Sequence, residues 1–130
     1  MTTNSKGLLA QLKVELRATE LGATVSRPVG EFSRYDLIVD WMGKLYRAQV
    51  KYADGVVSQC SGSVAVSLRK KEKCYTSSEV DVLLVYIPQL DKVCWFGSEV
   101  FHDKQNLYVR ISDSKNGQIK GCLPGQSHEN

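Results

Sequence analysis

The sequence predicts a single α/β domain in which a mixed β-sheet is flanked by helices. An amphipathic helical segment opens the chain, and a stretch with the alternation of a β-hairpin follows it. The later run VDVLLVYIP is continuously apolar, as expected for a strand that is covered on both faces. This order of elements is typical of the α/β class, and 130 residues with 42% hydrophobic content suffice for one core.

The first element is predicted to be a helix over residues 6–21. Asn4 or Ser5 is its expected N-cap, and Gly22 marks its C-terminal end. Leucines at three- and four-residue intervals predict its buried stripe, which consists of Leu9, Leu12 and Leu16.

Short signals predict the remaining elements. ATVSRP predicts a strand that ends at Pro28, and SRYDLIVDWMGKLYRAQVKY predicts a hairpin with a polar connection at residues 40–44. A second helix is predicted over residues 64–80. KVCWFG and NLYVRIS predict further strands, with a short helix or turn in SEVFHDK between them. We expect one domain over residues 1–112 and a weakly ordered polar tail over residues 113–130.

Composition argues against several classes of protein. The sequence contains no apolar run long enough to cross a membrane, and MTTNSKGLLAQLK lacks the basic-then-apolar order of a signal peptide. The four cysteines are widely spaced, so we expect reduced thiols in a cytoplasmic protein at Cys60, Cys74, Cys94 and Cys122. The net charge of +3, from 17 basic and 14 acidic residues, permits nucleic acid binding without establishing it.

Polar side chains interrupt both arms of the predicted hairpin. Asp36 interrupts the first arm, and Gln49 and Lys51 interrupt the second at a spacing of two, so these two point to one face of the sheet. Asp36 offers a hard anionic oxygen suited to Mg²⁺, and Gln49 offers a weaker neutral oxygen. A divalent cation beside a lysine is suited to phosphodiester hydrolysis, because the metal acidifies water and the ammonium offsets transition-state charge.

The same spacing is compatible with a sheet that has one solvated face and no chemistry. Two features favour a site instead. The second arm alternates regularly, so that Arg47, Gln49 and Lys51 share one face. Gln11 and Glu15 lie one helical turn apart at the rim of the buried stripe, so we expect the helix to dock against that polar face.

A helix with an acidic residue, a strand with Asp and a hairpin partner reading (D/E)-x-K form the core of the PD-(D/E)XK nucleases. The chain resembles that family over KGLLAQLKVELRATELGATVSRPVG and EFSRYDLIVDWMGKLYRAQVKY, and more loosely over VDVLLVYIP. It is most similar to the homing endonucleases of bacterial group I introns, whose motif is closer to YD…Q-x-K; Tyr35 and Gln49 match this variant. The resemblance implies the restriction-endonuclease-like fold, with a helix-strand-hairpin-helix-strand core.

The resemblance also implies a role for each matched residue. Asp36 would be the principal metal ligand, Gln49 and the backbone carbonyl of Val50 would complete that side of the site, and Lys51 would be the catalytic lysine. Gln11 falls on the helix position that is normally Glu. The cofactor would be Mg²⁺, with other divalent cations as alternatives, and the partners would be double-stranded DNA and further copies of the chain, as a dimer or tetramer.

Gln11 leaves Asp36 as the only carboxylate among the matched positions, and one carboxylate holds Mg²⁺ poorly. Three explanations stay open. Glu15 or Glu31 replaces the missing carboxylate, or metal binding by the natural protein is weak, or Gln11 stands where a Glu has been substituted to abolish cleavage.

Basic and polar residues elsewhere are candidates for DNA contacts, since phosphates bind Lys and Arg and base edges are accessible in the major groove. Each of them is also compatible with an ordinary surface position. The candidates are Arg27, Arg34, Arg47, Ser58, Gln59, Ser61, Arg69, Lys70, Lys71 and Lys73.

The implied function is a Mg²⁺-dependent homing endonuclease that cuts double-stranded DNA at a long pseudo-palindromic target, in the bacterial cytoplasm with the nucleoid DNA. A domain of this size contacts few base pairs and duplex cleavage needs two active sites, so an oligomer is expected. A restriction-type endonuclease and a Holliday-junction resolvase share the same core. The alternative of another class is a non-catalytic DNA-binding module with a decayed nuclease site.

Overall fold

The computed structural model describes residues 1–30, 33–53, 63–70 and 73–110. Its helices are α1 (Thr3–Glu20) and α2 (Ser98–Phe101). Its strands are β1 (Thr24–Ser26), β2 (Leu37–Trp41), β3 (Lys44–Tyr52), β4 (Ser63–Ser67), β5 (Arg69–Lys70), β6 (Lys73–Cys74), β7 (Val82–Ile87), β8 (Lys92–Gly97) and β9 (Asn106–Arg110). The tail predicted over residues 113–130 lies outside the described residues.

Five strands form the central sheet in the order β1-β2-β3-β7-β8. The β3–β7 pair is parallel, and the other pairs of this sheet are antiparallel. A mixed sheet with α1 packed against it confirms the predicted α/β class. In the described ranges, neither helix is long and apolar enough to cross a membrane.

The ends of α1 are set by local capping. Thr2 is the N-cap instead of the predicted Asn4 or Ser5, because its Oγ1 accepts a hydrogen bond from the backbone N–H of Ser5 at 3.1 Å. Gly22 follows the helix with a φ of 89°, a conformation that glycine adopts without steric cost. The predicted C-terminal end of the helix is therefore confirmed.

The buried stripe of α1 is not the predicted one. Ala10, Val14 and Ala18 are buried, whereas Leu12 and Leu16 are 46% and 57% exposed and Leu9 is only partly buried. Helical periodicity fits either stripe and cannot choose between them. The small side chains decide, because they let the helix backbone approach the sheet closely in a cluster with Leu37, Val39, Ala48 and Val50.

Strands β2 and β3 form the predicted hairpin, with Trp41 opposite Lys44. Its turn consists of Met42 and Gly43, whose φ values of 53° and 80° are both positive. Consecutive positive φ values match the twist of two hairpin strands. The turn thereby sets the register in which Leu37 lies opposite Ala48, and the residues that flank this pair become neighbours.

The second helix predicted over residues 64–80 is wrong. This segment contains β4, which pairs with β9, and the short ribbon of β5 and β6. In β4, Val66 is 3% exposed while Ala65 and Ser67 are exposed, which is the period of a half-buried strand. Valines fit a pleated surface better than a helix, and pairing with a distant strand stabilises that choice. In the described part of the connection between β3 and β7, strands therefore occur where the predicted core has its second helix.

Strand β7 is buried along its whole length, which confirms the prediction for VDVLLVYIP. Its side chains alternate between two clusters. On the helix face of the sheet, α1 covers Val82, Leu84 and Tyr86. On the opposite face, which we call the ribbon face, residues of β4, β9 and α2 together with Tyr75 cover Leu83, Val85 and Ile87.

The elements after β7 follow the sequence prediction. KVCWFG and NLYVRIS contain β8 and β9. SEVFHDK contains the whole of α2, whose Phe101 is fully buried. Cys74 and Cys94 form no disulfide with any other described residue. Cys60 and Cys122 lie outside the described residues.

Candidate active site

Asp36 lies one residue before β2, where two hydrogen bonds tie it to β3. Its backbone N–H donates to the carbonyl oxygen of Ala48 at 2.8 Å, and its Oδ2 accepts from the backbone N–H of Val50 at 3.1 Å. Because the second bond uses the side chain itself, the carboxylate is oriented by the sheet before any ligand binds.

Gln49 is a buried polar residue with 5% of its surface exposed. Its Oε1 has no hydrogen-bond partner within the part of the chain that the structure describes. Leaving a buried acceptor unpaired costs about 1–3 kcal/mol, so such an atom calls for a functional explanation. A ligand that offers positive charge to Oε1 would remove this cost.

Gln49 and Lys51 point to the ribbon face of the sheet. Their neighbours Ala48 and Val50 belong to the helix-face cluster, and side chains alternate along a strand. Across the parallel pair, Gln49 lies opposite Leu83 and Lys51 lies opposite Val85. The Nζ of Lys51 lies 5.1 Å from the centroid of the Tyr75 ring.

Tyr75 is a residue of this site that the sequence did not reveal. It is 1% exposed, and its hydroxyl oxygen has no hydrogen-bond partner among the described residues. Burial raises the pKa of Tyr75, the charges of Asp36 and Glu79 raise it further, and Arg34 opposes them. The phenol therefore stays neutral, and its ring offers a π face to cations.

Arg34 reaches the same ring from the segment before β2. Its Cζ lies 4.7 Å from the ring centroid of Tyr75, and its Nη2 donates to the carbonyl oxygen of Cys74 at 2.9 Å. Its Nε lies 3.3 Å from Oε2 of Glu79, which is an ion pair without hydrogen-bond alignment. These contacts hold the guanidinium against the chain that leads out of β6.

The expected docking of α1 on the polar face is wrong. Ala10 and Val14 pack against Ala48 and Val50, on the face opposite to Gln49 and Lys51, because the small side chains of the helix allow the closest approach there. The side chain of Gln11 donates to Oε2 of Glu15 at 3.5 Å, one turn further along the same helix.

Glu15 is engaged by Arg27. The Nε and Nη2 of Arg27 donate to its two carboxylate oxygens at 2.7 and 2.9 Å. These hydrogen bonds lower the pKa of Glu15 despite the opposing effect of partial burial. Glu15 is thus a paired carboxylate, and Glu31, the other suggested substitute, lies outside the described residues.

Arg47 is held by Asp81, just before β7. Its Nε and Nη2 donate to Oδ2 and Oδ1 of Asp81 at 3.0 and 2.9 Å, and its Nη1 donates to the carbonyl oxygen of Ser78 at 2.8 Å. Neither Asp81 nor Glu79 is marked by any local sequence pattern. Tyr75 is not marked by a local pattern either. It lies in the basic stretch RKKEKCY, but its burial depends on contacts with β4, β7 and β9.

Three of the other candidate DNA contacts lie on the β5–β6 ribbon, where Lys70 pairs with Lys73 and Arg69 pairs with Cys74. The remaining candidates, Ser58, Gln59, Ser61 and Lys71, lie outside the described residues. In the described ranges, no group of three or more His, Cys, Asp or Glu side chains is placed to hold a metal ion.

Comparison with known proteins identifies the family of the chain and supports its fold. The family model described as PD-(D/E)XK endonuclease matches residues 1–129. A solved structure, described as a bacterial homing endonuclease, I-Ssp6803I, is similar with a TM-score of 0.71 and 27% identity, over 88% of this chain and 79% of that chain. A search of curated proteins gives no match. With a family match over nearly its whole length, the chain belongs to the PD-(D/E)XK endonucleases.

Proposed function

We propose that the chain is a homing endonuclease that hydrolyses phosphodiester bonds of double-stranded DNA at a long pseudo-palindromic target. Membership of the PD-(D/E)XK endonucleases supports nuclease chemistry, and similarity to a bacterial homing endonuclease supports the homing class. One observation carries the proposal. An oriented carboxylate, a buried amide oxygen that no described residue pairs with, and a lysine occur together where β2 begins beside β3: Asp36, Gln49 and Lys51.

The oxygen atoms at this place suit a hard divalent cation such as Mg²⁺. Asp36 and Gln49 would supply side-chain oxygens, and the backbone carbonyl of Val50 would complete that side of the set. Gln11 is added on the family match alone, because here its side chain donates to Glu15 on the helix that packs against the opposite face. The unpaired Oε1 of Gln49 supports this assignment, because a cation satisfies a buried acceptor that the described residues leave without a partner. With one carboxylate the set holds Mg²⁺ weakly, and other divalent cations suit it too.

Each residue of the site then has one task. Asp36 would hold the cation with a carboxylate that the N–H of Val50 has already oriented. Bound there, Mg²⁺ would supply an acidified water and offset charge on the phosphoryl oxygens. Lys51 stabilises the extra negative charge of the transition state. A single in-line attack of water on phosphorus would break the bond to O3′, which takes up a proton, and this leaves a 5′-phosphate and a 3′-hydroxyl.

Basic residues around the site would contact DNA phosphates, which fix the register of the protein on the duplex. Arg69, Lys70 and Lys73 are placed on one short ribbon and are our first candidates. Cutting both strands needs two active sites, so the proposal includes a homo-oligomer, either a dimer or a tetramer, whose symmetry matches the pseudo-palindrome.

The testing experiment is a Mg²⁺-dependent cleavage assay on DNA of the intronless allele. We compare the chain, its Gln11→Glu variant, and that variant with Lys51→Ala or Lys44→Ala. Lys44 is the matched control, because it lies on the same strand with its Nζ 5.7 Å from an aromatic ring, that of Tyr46. We expect Gln11→Glu to cut, Lys51→Ala to lower its rate by about 10²-fold or more, and Lys44→Ala to leave it unchanged.

Other results would select other functions. Cleavage of four-way junctions alone would indicate a resolvase, and cleavage of a short palindrome would indicate a restriction-type enzyme. The shortage of carboxylates in the matched positions favours one further candidate, a non-catalytic DNA-binding module. Binding of duplex DNA without cleavage by either the chain or Gln11→Glu would replace the endonuclease with that module.

A further inference from the structure

We propose that Tyr75 is a positioning residue for catalysis, and that its buried ring holds the Lys51 ammonium in place beside Asp36 and Gln49. The inference rests on the proposed function for its catalytic meaning, because Lys51 is the lysine of the proposed reaction. The contact itself is a property of the folded chain and is testable without any DNA.

The distance and burial of the pair support this role. The Nζ of Lys51 lies 5.1 Å from the ring centroid of Tyr75, within the range of a cation–π contact. Tyr75 is 1% exposed, so water competes poorly for its ring. A lysine side chain has several rotatable bonds, and fixing its ammonium in advance reduces the entropy that is lost when the transition state forms.

The ring is itself fixed by the fold. The backbone carbonyl oxygen of Tyr75 accepts a hydrogen bond from Asp103 at 2.8 Å. Arg34 lies over the same ring at 4.7 Å and bonds to the carbonyl oxygen of Cys74, the preceding residue. Glu79, which pairs with Arg34, accepts a hydrogen bond from Thr76 at 3.1 Å. Contacts on both sides of residue 75 in sequence therefore determine where the ring lies.

The chemistry of the ring distinguishes this role from a hydrogen-bonding role. The hydroxyl of Tyr75 has no hydrogen-bond partner in the described part of the chain, so it contributes no bond there to Lys51 or Asp36. A phenylalanine at this position keeps the π face and removes the hydroxyl, whereas a leucine keeps apolar volume and removes the π face. The proposal therefore predicts opposite results for these two substitutions.

The first test is proton NMR of the full-length, unsubstituted chain. The ε-methylene protons of Lys51, assigned with a Lys51→Arg variant, should be shifted upfield relative to those of the exposed Lys104. Tyr75→Phe should preserve this ring-current shift and Tyr75→Leu should abolish it. Ordinary chemical shifts for Lys51 in the unsubstituted chain would overturn the proposal, whatever the nuclease assay shows.

The second test measures single-turnover cleavage and DNA affinity in the Gln11→Glu background. Tyr75→Leu should lower the cleavage rate constant by about 10-fold at unchanged DNA affinity, whereas Tyr75→Phe should keep the rate constant of the Gln11→Glu parent. Tyr46→Leu is the matched control, since it removes a ring that also lies under a lysine but lies outside the site. It should leave the rate unchanged. Equal losses for Phe and Leu, or no loss for Leu, would overturn the proposal.

If Tyr75→Leu fails to fold, fluorinated phenylalanines at position 75 provide the same comparison at constant size. Successive fluorination weakens the π face, so the cleavage rate and the Lys51 shift should both fall stepwise. A flat series would contradict the proposal. If the Gln11→Glu chain cuts no DNA at all, the proposed function fails, and the NMR result still decides whether Tyr75 holds Lys51.

Discussion

Arg47 and Asp81 bind each other through both backbone and side chain. The N–H of Asp81 donates to the carbonyl oxygen of Arg47 at 2.9 Å, and the N–H of Arg47 donates to Oδ2 of Asp81 at 2.8 Å. The guanidinium then chelates the same carboxylate. This pair lies where the parallel β3–β7 ladder begins, and it fixes the register that places Gln49 and Lys51 opposite Leu83 and Val85.

Replacing Asp81 with Ala should lower the free energy of unfolding by about 1 kcal/mol, the upper range for a partly exposed ion pair. In the Gln11→Glu background, the effect on cleavage should be larger than this loss implies, because the register of the site depends on the same pair. Urea unfolding and single-turnover cleavage measure the two effects. Asp40→Ala, at an exposed position of β2, is the control and should change neither. An Asp81→Ala chain that keeps its full cleavage rate would contradict the role of this pair in fixing the register of the site.

The stability of the chain should fall at acid pH. Arg47, chiefly through its side-chain hydrogen bond, lowers the pKa of Asp81 from its ordinary value of 3.8. A carboxyl group whose pKa is lower in the folded state stabilises the fold above its unfolded pKa, and this contribution is lost as pH falls through the folded pKa. Unfolding free energies measured from pH 6 to about pH 2 should therefore decline below about pH 4. Arg47→Gln should flatten this decline, while Lys104→Gln at an exposed site should not.

Gln49→Leu should stabilise the fold and abolish the proposed metal site. The substitution removes a buried acceptor that has no partner among the described residues, which should raise the free energy of unfolding by about 1 kcal/mol. Mg²⁺-dependent cleavage by the Gln11→Glu chain should be lost at the same time. Guanidinium unfolding and the cleavage assay give the two readings. A lower free energy of unfolding would show instead that Oε1 of Gln49 accepts a hydrogen bond from another group of the folded chain.

The Asp36→Asn substitution should keep the orientation of side chain 36 and remove its negative charge, so that the effects of the two on stability and cleavage can be distinguished. The amide oxygen of Asn can still accept from the N–H of Val50, so the melting temperature should change little. Cleavage by the Gln11→Glu chain should fall by about 10²-fold or more, since a neutral ligand holds a divalent cation poorly. Asp36→Ala should lose both activity and some stability. Equal activity of Asp36→Asn and the parent would remove Asp36 from the proposed ligands.

The corrected face of α1 gives a further prediction. Ala10→Leu should destabilise the chain by about 1–3 kcal/mol, because it overpacks a helix that lies close to the sheet. Leu12→Ala, a change of the same size in the opposite direction, should be nearly neutral because Leu12 is 46% exposed. Chemical unfolding of both variants checks this. The reverse order of effects would support the leucine stripe.

The sequence predicts those elements whose signals are local. The hairpin at residues 37–52 and the strand at residues 82–87 follow from alternation and from a continuous apolar run. The stripe of α1 could not be chosen from the sequence, because periodicity is equal for neighbouring stripes and only the distance to the sheet distinguishes them. The helix predicted over residues 64–80 is wrong because β4 pairs with β9, a strand that comes much later in the chain and is not visible in the local sequence.

In the site too, residues with local sequence signals can be predicted, and residues that depend on contacts between distant segments cannot. Asp36, Gln49 and Lys51 come from one contiguous hairpin, so their spacing and the family resemblance suffice to propose them. Tyr75 lies against Lys51, and Asp81 binds Arg47 on the same strand. Both contacts need β7 paired with β3, and nothing in the neighbouring sequence marks either residue. Sequence reasoning therefore identifies the proposed chemical groups and misses the residues that hold them in position.

The parallel pairing of β3 with β7 has a consequence for the order of events during synthesis. A ribosome-bound chain that ends before Val82 already carries Asp36, Gln49 and Lys51, but β3 is then an unpaired edge without its register or the ring of Tyr75 in place. Closing such a long loop is slow compared with forming a hairpin. Newly made chains therefore pass through a stage at which the groups of the proposed site are present but not assembled, and the site forms only once the second half has folded.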